Sequence, residues 1–456
     1  MSAQSTIETV KKEEVIDNIS DEQVGEKIDL NKLAALKAKQ QANQTQAKQQ
    51  EEKMANKLVA QKTRSLQIGC VGSGQAGSRI AEAMFKLGYP AIALNTAIQD
   101  LRFISVPDSN KLLLEYGVGG ASKELSIGNS AAEAHKVEIT QLINEKLSDA
   151  QVLFLTFSLG GGSGAGSCEV LVDIMSELGK PLVVISVLPM DTDDAQTKQN
   201  ALETLSKLAG YAKSKKISNL ILVDNARIEA IYHDANQFDF FNLANKSIVD
   251  TLDAFNTLSS MPSAVKALDA MEWSKILIDS GGLSCFGEFN IENYSEDTSI
   301  AEGVISNLSN NLLANGFDLA GARYIGFMVV ANSEVWSKIP ASSINYATSM
   351  VNDLAPGARG VFKGIYTVDS QDNYVKVYSF FSGLSLPMER IDQLKKETVE
   401  LQSKIKVKDD ERNLSLHLNA GTNETISSAQ AIKNKIAAKS SVFGKFVNNS
   451  TSDRRK

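Results

Sequence analysis

Histidine and cysteine are both scarce in this chain of 456 residues, and each occurs only three times. They are spread widely along the sequence, at Cys70, Cys168, Cys285, His135, His233 and His417. An odd, scattered set of cysteines argues against a disulfide framework or a zinc site and favours a reducing, cytoplasmic compartment. Scattered histidines argue against a histidine-based catalytic triad. We therefore predict no metal site built from protein ligands alone.

Long apolar runs are also missing from the sequence. No stretch approaches the ~20 apolar residues that a membrane helix needs, and the N-terminus shows no secretory signal. The formal net charge is -7, with 22% charged and 43% hydrophobic residues. This composition predicts two or three globular units with a sizeable core and no membrane partner. It gives no sign of nucleic-acid binding over the whole surface.

The two ends of the chain lack the pattern of a packed domain. Residues 1–64 are polar, and helix formers run without proline or glycine from Asn31 to Thr63. We predict a disordered start followed by a solvated or partner-dependent helix. Residues 413–456 are predicted to form a flexible tail that is basic from Ala431 onward. Such a tail could bind DNA phosphate, bind an acidic partner or only keep the chain in solution.

Short apolar runs alternate with amphipathic stretches from Leu66 onward. Helices are predicted at stretches such as Ser78–Leu87 and Ser130–Leu147. The runs predict buried strands at Leu66–Val71, Ala91–Leu94, Val152–Phe157, Leu182–Val187 and Leu220–Val223. Strands that alternate with helices indicate a parallel sheet covered on both faces, so the predicted fold class is α/β.

A long helical stretch and a second group of strands follow. Apolar residues recur at helical period from about Phe240 to Ser260. Later strand-like runs, at Gly282–Ile291, Arg323–Val330, Gly360–Val368 and Tyr374–Phe381, predict a smaller α/β domain. The predicted divisions are residues 65–236 for the first domain, 237–262 for the central helix, 263–387 for the second domain and 388–412 for a C-terminal helix.

The first of two glycine-rich turns, Gly72-Ser73-Gly74-Gln75-Ala76-Gly77, follows the first strand and precedes a helix. Glycine lets a phosphate approach the backbone, and the N-terminus of a helix attracts an anion. The same pattern fits a nicotinamide-binding unit, which also needs an acid about 20 residues on. The second strand ends instead in Asn95-Thr96. The missing acid argues against a nicotinamide cofactor, and a Rossmann-type oxidoreductase is kept as the alternative interpretation on the strength of the glycine turn alone.

The second turn, from Gly160 to Ser167, follows the strand that ends near Phe157 and contains five glycines. It is not a P-loop, because no Gly-Lys-Ser/Thr is present. A tight strand–helix connection is the plain structural alternative. Two anion-binding turns on neighbouring strands nevertheless suit a polyphosphate that is held from both sides.

Several motifs occur in a fixed order along the chain. The second turn is similar to the signature GGGTGTGS, with Ser163 and Ala165 as departures, and the first is similar to a GQAG nucleotide turn. The segment N-T-A-I-Q-D-L resembles an NT-x-x-Q-x-L motif. V-D-N-A-R-I at Val223–Ile228 and Y-S-F-F-S-G-L-S-L-P at Tyr378–Pro387 complete the set. Together they resemble the tubulin/FtsZ superfamily, and in particular its TubZ branch, from about Leu66 to Met388.

The resemblance implies a Rossmann-type GTPase domain joined by a long central helix to a smaller activation domain, with GTP/GDP and Mg²⁺ as cofactors. A divergent loop at Gly119, Gly120 and Ala121 occupies the position expected to sense the γ-phosphate, and Leu188-Pro189 would border the ribose. The other implied contacts with ribose and phosphate are Gly74, Gln75, Ala76, Asn95, Gly161, Gly162, Ser163, Gly164 and Ala165.

A site for the guanine base is expected at the start of the long helix. Phe241 and Asn245 are four residues apart, so they share a helix face. An aromatic ring can stack on a base while an amide pairs with its edge. The resemblance implies this role for both residues and a second amide at Asn225. Ordinary core packing for Phe241 and a surface position for Asn245 are the alternatives.

An acidic pair, Asp269 and Glu272, follows the long helix at a spacing that puts both side chains on one face. The resemblance implies that these acids enter the nucleotide site of the next subunit and polarise the attacking water, with magnesium bridging the phosphates. Hydrolysis would then need assembly. The alternative is a helix cap or a solvated pair.

The function implied is a polymerising GTPase that forms cytoplasmic filaments and segregates or positions plasmid or phage DNA. Its expected partners are further copies of itself and a DNA-bound adaptor that engages the basic tail. A non-hydrolysing filament or adaptor homologue is a further alternative.

Overall fold

The computed structural model describes residues 63–418, apart from 233, 235 and 310. The predictions made for residues 1–62 and for the basic tail lie outside the described residues. Within the described part, no helix combines the length and the apolar character needed to cross a membrane.

Ten strands form one continuous sheet in the order β3-β2-β1-β4-β5-β6-β7-β10-β8-β9. Neighbours from β3 to β7 are parallel, β10 is antiparallel to both β7 and β8, and β8 is parallel to β9. The strands are β1 Ile68–Ser73, β2 Ala91–Asn95, β3 Lys111–Leu113, β4 Val152–Ser158, β5 Leu182–Leu188, β6 Asn219–Asp224, β7 Leu283–Ile291, β8 Tyr324–Ala331, β9 Gly360–Thr367 and β10 Val375–Leu384.

The α-helices lie in the connections between strands, except for the last, which follows β10. They are α1 Gly74–Lys86, α2 Ile98–Arg102, α3 Leu125–Ala134, α4 Lys136–Lys146, α5 Gly162–Glu177, α6 Ala195–Lys213, α7 Asn225–Ile231, α8 Gln237–Leu258, α9 Ala270–Ser274, α10 Ser299–Ser309, α11 Ser333–Trp336, α12 Ala341–Leu354 and α13 Met388–Leu418. A π-helical turn, Lys275–Asp279, continues α9, and 3₁₀ turns occur at Asp108–Asn110 and Leu319–Gly321.

Hydrophobic residues cover both faces of the sheet. Val71 and Leu155 belong to one buried cluster, whereas their neighbours Cys70 and Phe154 belong to another. This alternation follows from the pleat, which points successive side chains to opposite faces. The predicted α/β class with a covered, largely parallel sheet is confirmed.

The register of the parallel strands fixes where the glycine turns meet. Gly72 of β1 pairs with Thr156 of β4, so the two strands end at nearly the same level. Because both strands run in the same direction, the turns that follow them lie side by side at the carboxyl edge of the sheet.

The long helix α8 crosses from this carboxyl edge toward the opposite edge. Near its end, the Asn256 side chain accepts a hydrogen bond from the Leu66 amide at 2.8 Å and donates one to the Leu66 carbonyl at 2.9 Å. Leu66 lies two residues before β1. The last turns of α8 therefore pack where the first strand begins.

Several element boundaries differ from the sequence prediction. Helix α1 begins at Gly74, so the residues from Gly74 to Gly77 form its first turn. The single helix predicted for Ser130–Leu147 is two helices, separated at His135, which has φ -109° and ψ 19°. Helix α13 runs to Leu418, past the end predicted at residue 412.

The two predicted α/β domains share the one sheet. Only two registered pairs join β6 to β7, Leu220 with Leu283 and Ile221 with Ser284. The domain limits themselves stay a prediction.

Candidate active site

The two glycine turns touch each other through their backbones. A Cβ added at Gly74 would lie 2.9 Å from the Gly164 amide nitrogen, and one added at Gly164 would lie 2.8 Å from the Ser73 carbonyl oxygen. Gly74 also has a φ of +69°, a value that strains other residues. The hydroxyl oxygens of Ser73 and Ser167 lie 2.7 Å apart. The close approach of the turns therefore depends on glycine at both positions.

The helices that begin at these turns have bare N-termini. Within the described residues, no side chain caps α1 or α5, and neither has an acidic residue in its first turn. By contrast, Asp194 caps α6 and Asp224 caps α7. An uncapped helix leaves backbone N–H groups that need an acceptor, and an anion such as a phosphate can supply it. Two such ends side by side suit a polyphosphate.

A third loop lies against the second glycine turn. A Cβ added at Gly162 would lie 2.8 Å from the Ala121 Cβ, and the Gly120 amide donates to the Thr96 carbonyl at 2.9 Å. Gly119 and Gly120 have φ of +88° and +74°. Five residues of this loop have positive φ, including two that are not glycine: Gly117, Gly119, Gly120, Ser122 and Lys123. Strained backbone of this kind is concentrated at functional sites.

Hydroxyl and amide side chains join the three loops. Thr96, which follows β2, has its Oγ1 2.6 Å from the Ser163 hydroxyl. The buried Asn200 of α6 donates to the carbonyl of Lys123 at 2.7 Å and to that of Gly160 at 3.2 Å. Asn200 was absent from the sequence-based site. No hydrophobic pattern marks it, because the buried side of α6 carries other polar residues as well.

The predicted contact Asn95 is engaged in its own turn. Its Nδ2 donates to Asp100 Oδ2 at 3.0 Å, and its Oδ1 accepts from the Ala97 amide at 3.1 Å. The side chain therefore stabilises the turn after β2, and its contact with a nucleotide stays a prediction. Gln75 and Ala76 lie in the first turn of α1, with Gln75 exposed, while Ala165 is buried in the first turn of α5.

The three residues predicted for the base lie on two consecutive helices. Asn225 is the first residue of α7 and is half-buried, as is Asn245 of α8. The Phe241 side chain is 39% exposed and meets Phe240 edge-on at a centroid distance of 4.9 Å. Core packing therefore does not account for Phe241, and its stacking on a base stays a prediction.

The acidic pair forms a helix cap. Asp269 Oδ1 accepts from the Glu272 amide at 2.8 Å, and Glu272 Oε2 accepts from the Asp269 amide at 3.1 Å. This reciprocal arrangement is a capping box at the start of α9. Asp269 is exposed, and Lys266 Nζ lies 3.6 Å from Glu272 Oε1. The structural role of the pair is thus observed, and the catalytic role remains to be tested.

The position of α9 separates the acids from the base residues. Trp273 of α9 stacks on Phe255 of α8 with ring centroids 5.1 Å apart. Phe255 is fourteen residues beyond Phe241 on the same helix, which corresponds to about 20 Å along its axis. Within one chain, the acids therefore lie beside the C-terminal end of α8, whereas the candidate base site lies at its N-terminal end.

A buried ion pair near the site was missed by the sequence analysis. Arg390 of α13 contacts Asp224, the last residue of β6, through Nε and Oδ2 at 2.7 Å. Burial raises the pKa of Asp224, while the guanidinium opposes this shift. Arg390 shares a helix face with the buried Ile391 and Leu394. A charge inside an apolar stripe was the signal that could have revealed it.

Two family models match successive parts of the chain. The GTPase domain of the Tubulin/FtsZ family matches residues 67–233. The C-terminal domain of tubulin/FtsZ-like, TubZ-like proteins matches residues 254–395. The matched ranges contain the two glycine turns, Asn225 and the acidic pair.

Relatives and solved structures agree with these matches. The tubulin-like protein TubZ of Bacillus cereus is 23% identical over 384 residues, 76% of this chain and 88% of the relative. The tubulin-like protein CetZ of Pyrococcus abyssi is 27% identical over 324 residues, 69% of this chain and 84% of the relative. A GTPγS-form TubZ protofilament from Bacillus thuringiensis serovar israelensis superposes with a TM-score of 0.68 at 20% identity, covering 77% of this chain and 95% of that one. At this identity the superposition shows a common fold.

Proposed function

Because the chain belongs to the tubulin/FtsZ superfamily of filament-forming GTPases, we propose that its GTP-hydrolysing sites are completed between neighbouring subunits of a filament. One subunit holds GTP with its glycine turns, and the exposed Asp269 of the next subunit reaches the γ-phosphate. The observation that carries this proposal is the placement of the acids beside the opposite end of α8 from the base residues.

The glycine turns fit a triphosphate chemically. The uncapped N–H groups of α1 and α5 are donors without a side-chain competitor in the described residues. Ser163 and Thr96 add hydroxyl groups between the turns. Neither first turn carries a carboxylate, so Mg²⁺ would be held mainly by phosphate oxygens and water, as is usual for this ion. When bound, the ion would neutralise phosphate charge.

Within the acidic pair, Asp269 is the better candidate for orienting the attacking water. Both residues use one carboxylate oxygen in the capping box. The second oxygen of Glu272 faces Lys266, and its side chain is only 19% exposed. Asp269 is exposed at the N-terminus of α9. The cap fixes the direction of its carboxylate, which a water-orienting group requires.

The substitution Asp269→Asn tests this role directly. Asparagine is as good an N-cap as aspartate, so the substitution removes the charge and keeps the helix start. We expect filaments to form with GTP while phosphate release per subunit falls by at least about 10²-fold, the lower end of what a positioned general base contributes. Sedimentation and a phosphate-release assay on the same samples measure both quantities.

Two matched variants complete this experiment. Asp392→Asn removes an exposed acid on α13 that pairs with Lys395 and is expected to leave turnover unchanged. Glu272→Gln is expected to lower turnover less than Asp269→Asn does. Wild-type phosphate release from Asp269→Asn filaments would remove the proposed role and favour a hydrolytic site built from other residues.

The oxidoreductase alternative explains only the first glycine turn. The tubulin-type interpretation accounts for both turns, for their mutual contact and for the bare helix ends around them. It is the interpretation with the wider support.

We further propose that the filaments segregate or position DNA through an adaptor bound to the basic tail. One solved relative is described as a type III plasmid segregation TubZ, with a TM-score of 0.64 at 19% identity over 75% of this chain and 94% of that one. Removing residues 431–456 is then expected to leave GTP-dependent sedimentation unchanged, because the tail serves a partner. Loss of assembly in the shortened chain would assign the tail to the filament itself.

A further inference from the structure

The start of α13 is anchored by a buried charge. The Arg390 side chain is 5% exposed and contacts Asp224, which is 1% exposed. The guanidinium binds both carboxylate oxygens, with Nε 2.7 Å from Oδ2 and Nη2 3.2 Å from Oδ1. A two-point contact of this kind fixes orientation as well as distance.

The same guanidinium reaches the loop that follows β5. Arg390 Nη2 donates to the Pro189 carbonyl at 3.2 Å and lies 3.3 Å from Asp191 Oδ1. This is the loop that the resemblance places beside the ribose. One side chain of α13 therefore holds both the end of β6 and the loop after β5, its neighbour in the sheet.

A second buried cation repeats this connection. Lys198 of α6 is 1% exposed, and its Nζ lies 2.6 Å from Glu397 Oε2 of α13. The same Nζ donates to the Asp191 carbonyl at 2.8 Å. The loop after β5 is thus tied to α13 twice, directly by Arg390 and indirectly through Lys198 and Glu397.

The ion pair also adjoins the candidate base site. Asp224 caps α7 by accepting from the Ala226 amide at 3.1 Å, and Asn225 is the first residue of that helix. Any shift of Asp224 would move the start of α7, and Asn225 with it.

We propose that the first turns of α13 act as a clamp on the nucleotide site, with Arg390 and Glu397 as positioning residues that couple docking of this helix to nucleotide binding. The inference rests on the proposed function, because it takes the loops after β5 and β6 as part of the site. Coupling is reciprocal. The clamp therefore favours nucleotide binding, and bound nucleotide stabilises the docked helix.

A purely structural pair would behave differently from a clamp. Replacing both members of a buried ion pair by neutral groups often leaves the stability of the fold unchanged. Removing only one member destabilises the fold, because the other charge stays buried without its partner. Arg390→Met with Asp224→Asn is the matching neutral pair, since asparagine keeps the cap on α7. This double variant separates the stability of the fold from the positioning of the loops.

The experiment compares mant-GDP binding and hydrogen–deuterium exchange of residues 388–400, with and without GDP, in wild type and the double variant. In wild type, GDP is expected to slow exchange in α13 although the helix lies outside the predicted nucleotide contacts. In the double variant we expect that slowing to vanish and mant-GDP to bind about tenfold more weakly, with the urea midpoint close to wild type. Lys395→Met, at an exposed position of α13, should behave as wild type.

Two results would overturn the clamp: wild-type affinity in the double variant, or GDP-dependent protection of α13 that survives in it. If the double variant does not fold, Glu397→Gln carries the same test with the Arg390 pair intact, and an unchanged mant-GDP affinity would then contradict the proposal. Failure of the wild-type protein to bind mant-GDP would instead contradict the proposed function.

Discussion

At the scale of single residues, the site depends on glycines, because their lack of a side chain lets the two turns touch. A Cβ added at Gly164 would lie 2.8 Å from the Ser73 carbonyl oxygen and 3.0 Å from the Phe157 Cβ. Both neighbours belong to buried strands and have little room to move. The space between the turns is therefore set by backbone, and it is intolerant of even one methyl group.

The substitution Gly164→Ala tests this tolerance. Alanine gains about 1 kcal/mol in helix propensity, but the overpacking against strand backbone costs about 1–3 kcal/mol, so we expect net destabilisation and weaker GTP binding. Gly210→Ala in α6 is the matched control, because a Cβ there meets no atom within 4 Å and only the propensity gain remains. Urea unfolding and fluorescent-GTP titration measure both variants; GTP affinity unchanged by Gly164→Ala would contradict the tight-turn account.

The sequence was informative about residue types and less so about contacts. Both glycine turns could be located from the sequence because glycines that cluster between a strand and a helix mark either a tight connection or a phosphate-binding turn. Arg390 and Asp224 were missed because they are 166 positions apart, and no local pattern joins such residues. The capping box at Asp269 was foreseen only as an alternative, since the same spacing serves a cap and a catalytic pair.

At the scale of elements, the two helices that follow the glycine turns differ at their N-termini from α6 and α7. The helices that face the predicted phosphates begin without a side-chain cap, while α6 and α7 beside them begin with Asp194 and Asp224. Asp194 also pairs with Lys123 of the strained third loop. The cap of α6 therefore helps to hold that loop.

The pairing of Asp194 with Lys123 predicts a pH-dependent contribution to stability. The Lys123 ammonium lowers the pKa of Asp194 to about 2, below the value of about 3.9 for an unfolded chain. The stabilisation is therefore fully present above about pH 4 and is lost as pH falls toward 2. Because the Asp194 side chain is 54% exposed, the ion pair should contribute less than about 1 kcal/mol to the free energy of unfolding.

Comparison with Asp194→Asn isolates this contribution, because asparagine keeps the cap and loses the charge. The difference in unfolding free energy between wild type and variant should be largest above pH 5 and should shrink toward pH 2.5. Urea titrations across this range measure it. A difference that does not vary with pH would show that the Lys123 contact adds nothing to folding.

Strands were predicted more accurately than helix ends. Buried parallel strands are continuous apolar runs, and β4, β5 and β6 extend their predictions by only a residue or two. The start of α1 at Gly74 was hidden because glycine is a poor helix former. The break at His135 was hidden because apolar residues continue through it at helical spacing. Strand β3, with three residues, was too short to produce a pattern.

At the scale of the whole molecule, the glycine turns and Asp269 lie near opposite ends of α8, although the proposed reaction needs them in contact. The glycine turns lie at the carboxyl edge of the parallel strands, and the end of α8 packs beside the start of β1. A single subunit is therefore not expected to place Asp269 against its own nucleotide. Stacking subunits head to tail would bring the two halves into contact.

One continuous sheet also links the first group of strands to the second. Strands β7 and β10 continue the parallel part into the second group of strands, and Phe255 of α8 packs against Phe380 of β10 at a centroid distance of 5.5 Å. The sequence predicted two α/β units and a connecting helix, but periodicity alone carries no information about how sheets join.

The most direct test of the split site is phosphate release per subunit measured while total protein is diluted across the assembly threshold. Sedimentation of the same samples gives the filament fraction. We expect turnover to follow the filament fraction and to be nearly absent below the threshold, because free subunits hold GTP without the neighbouring Asp269. A turnover per subunit that stays constant through dilution would contradict it.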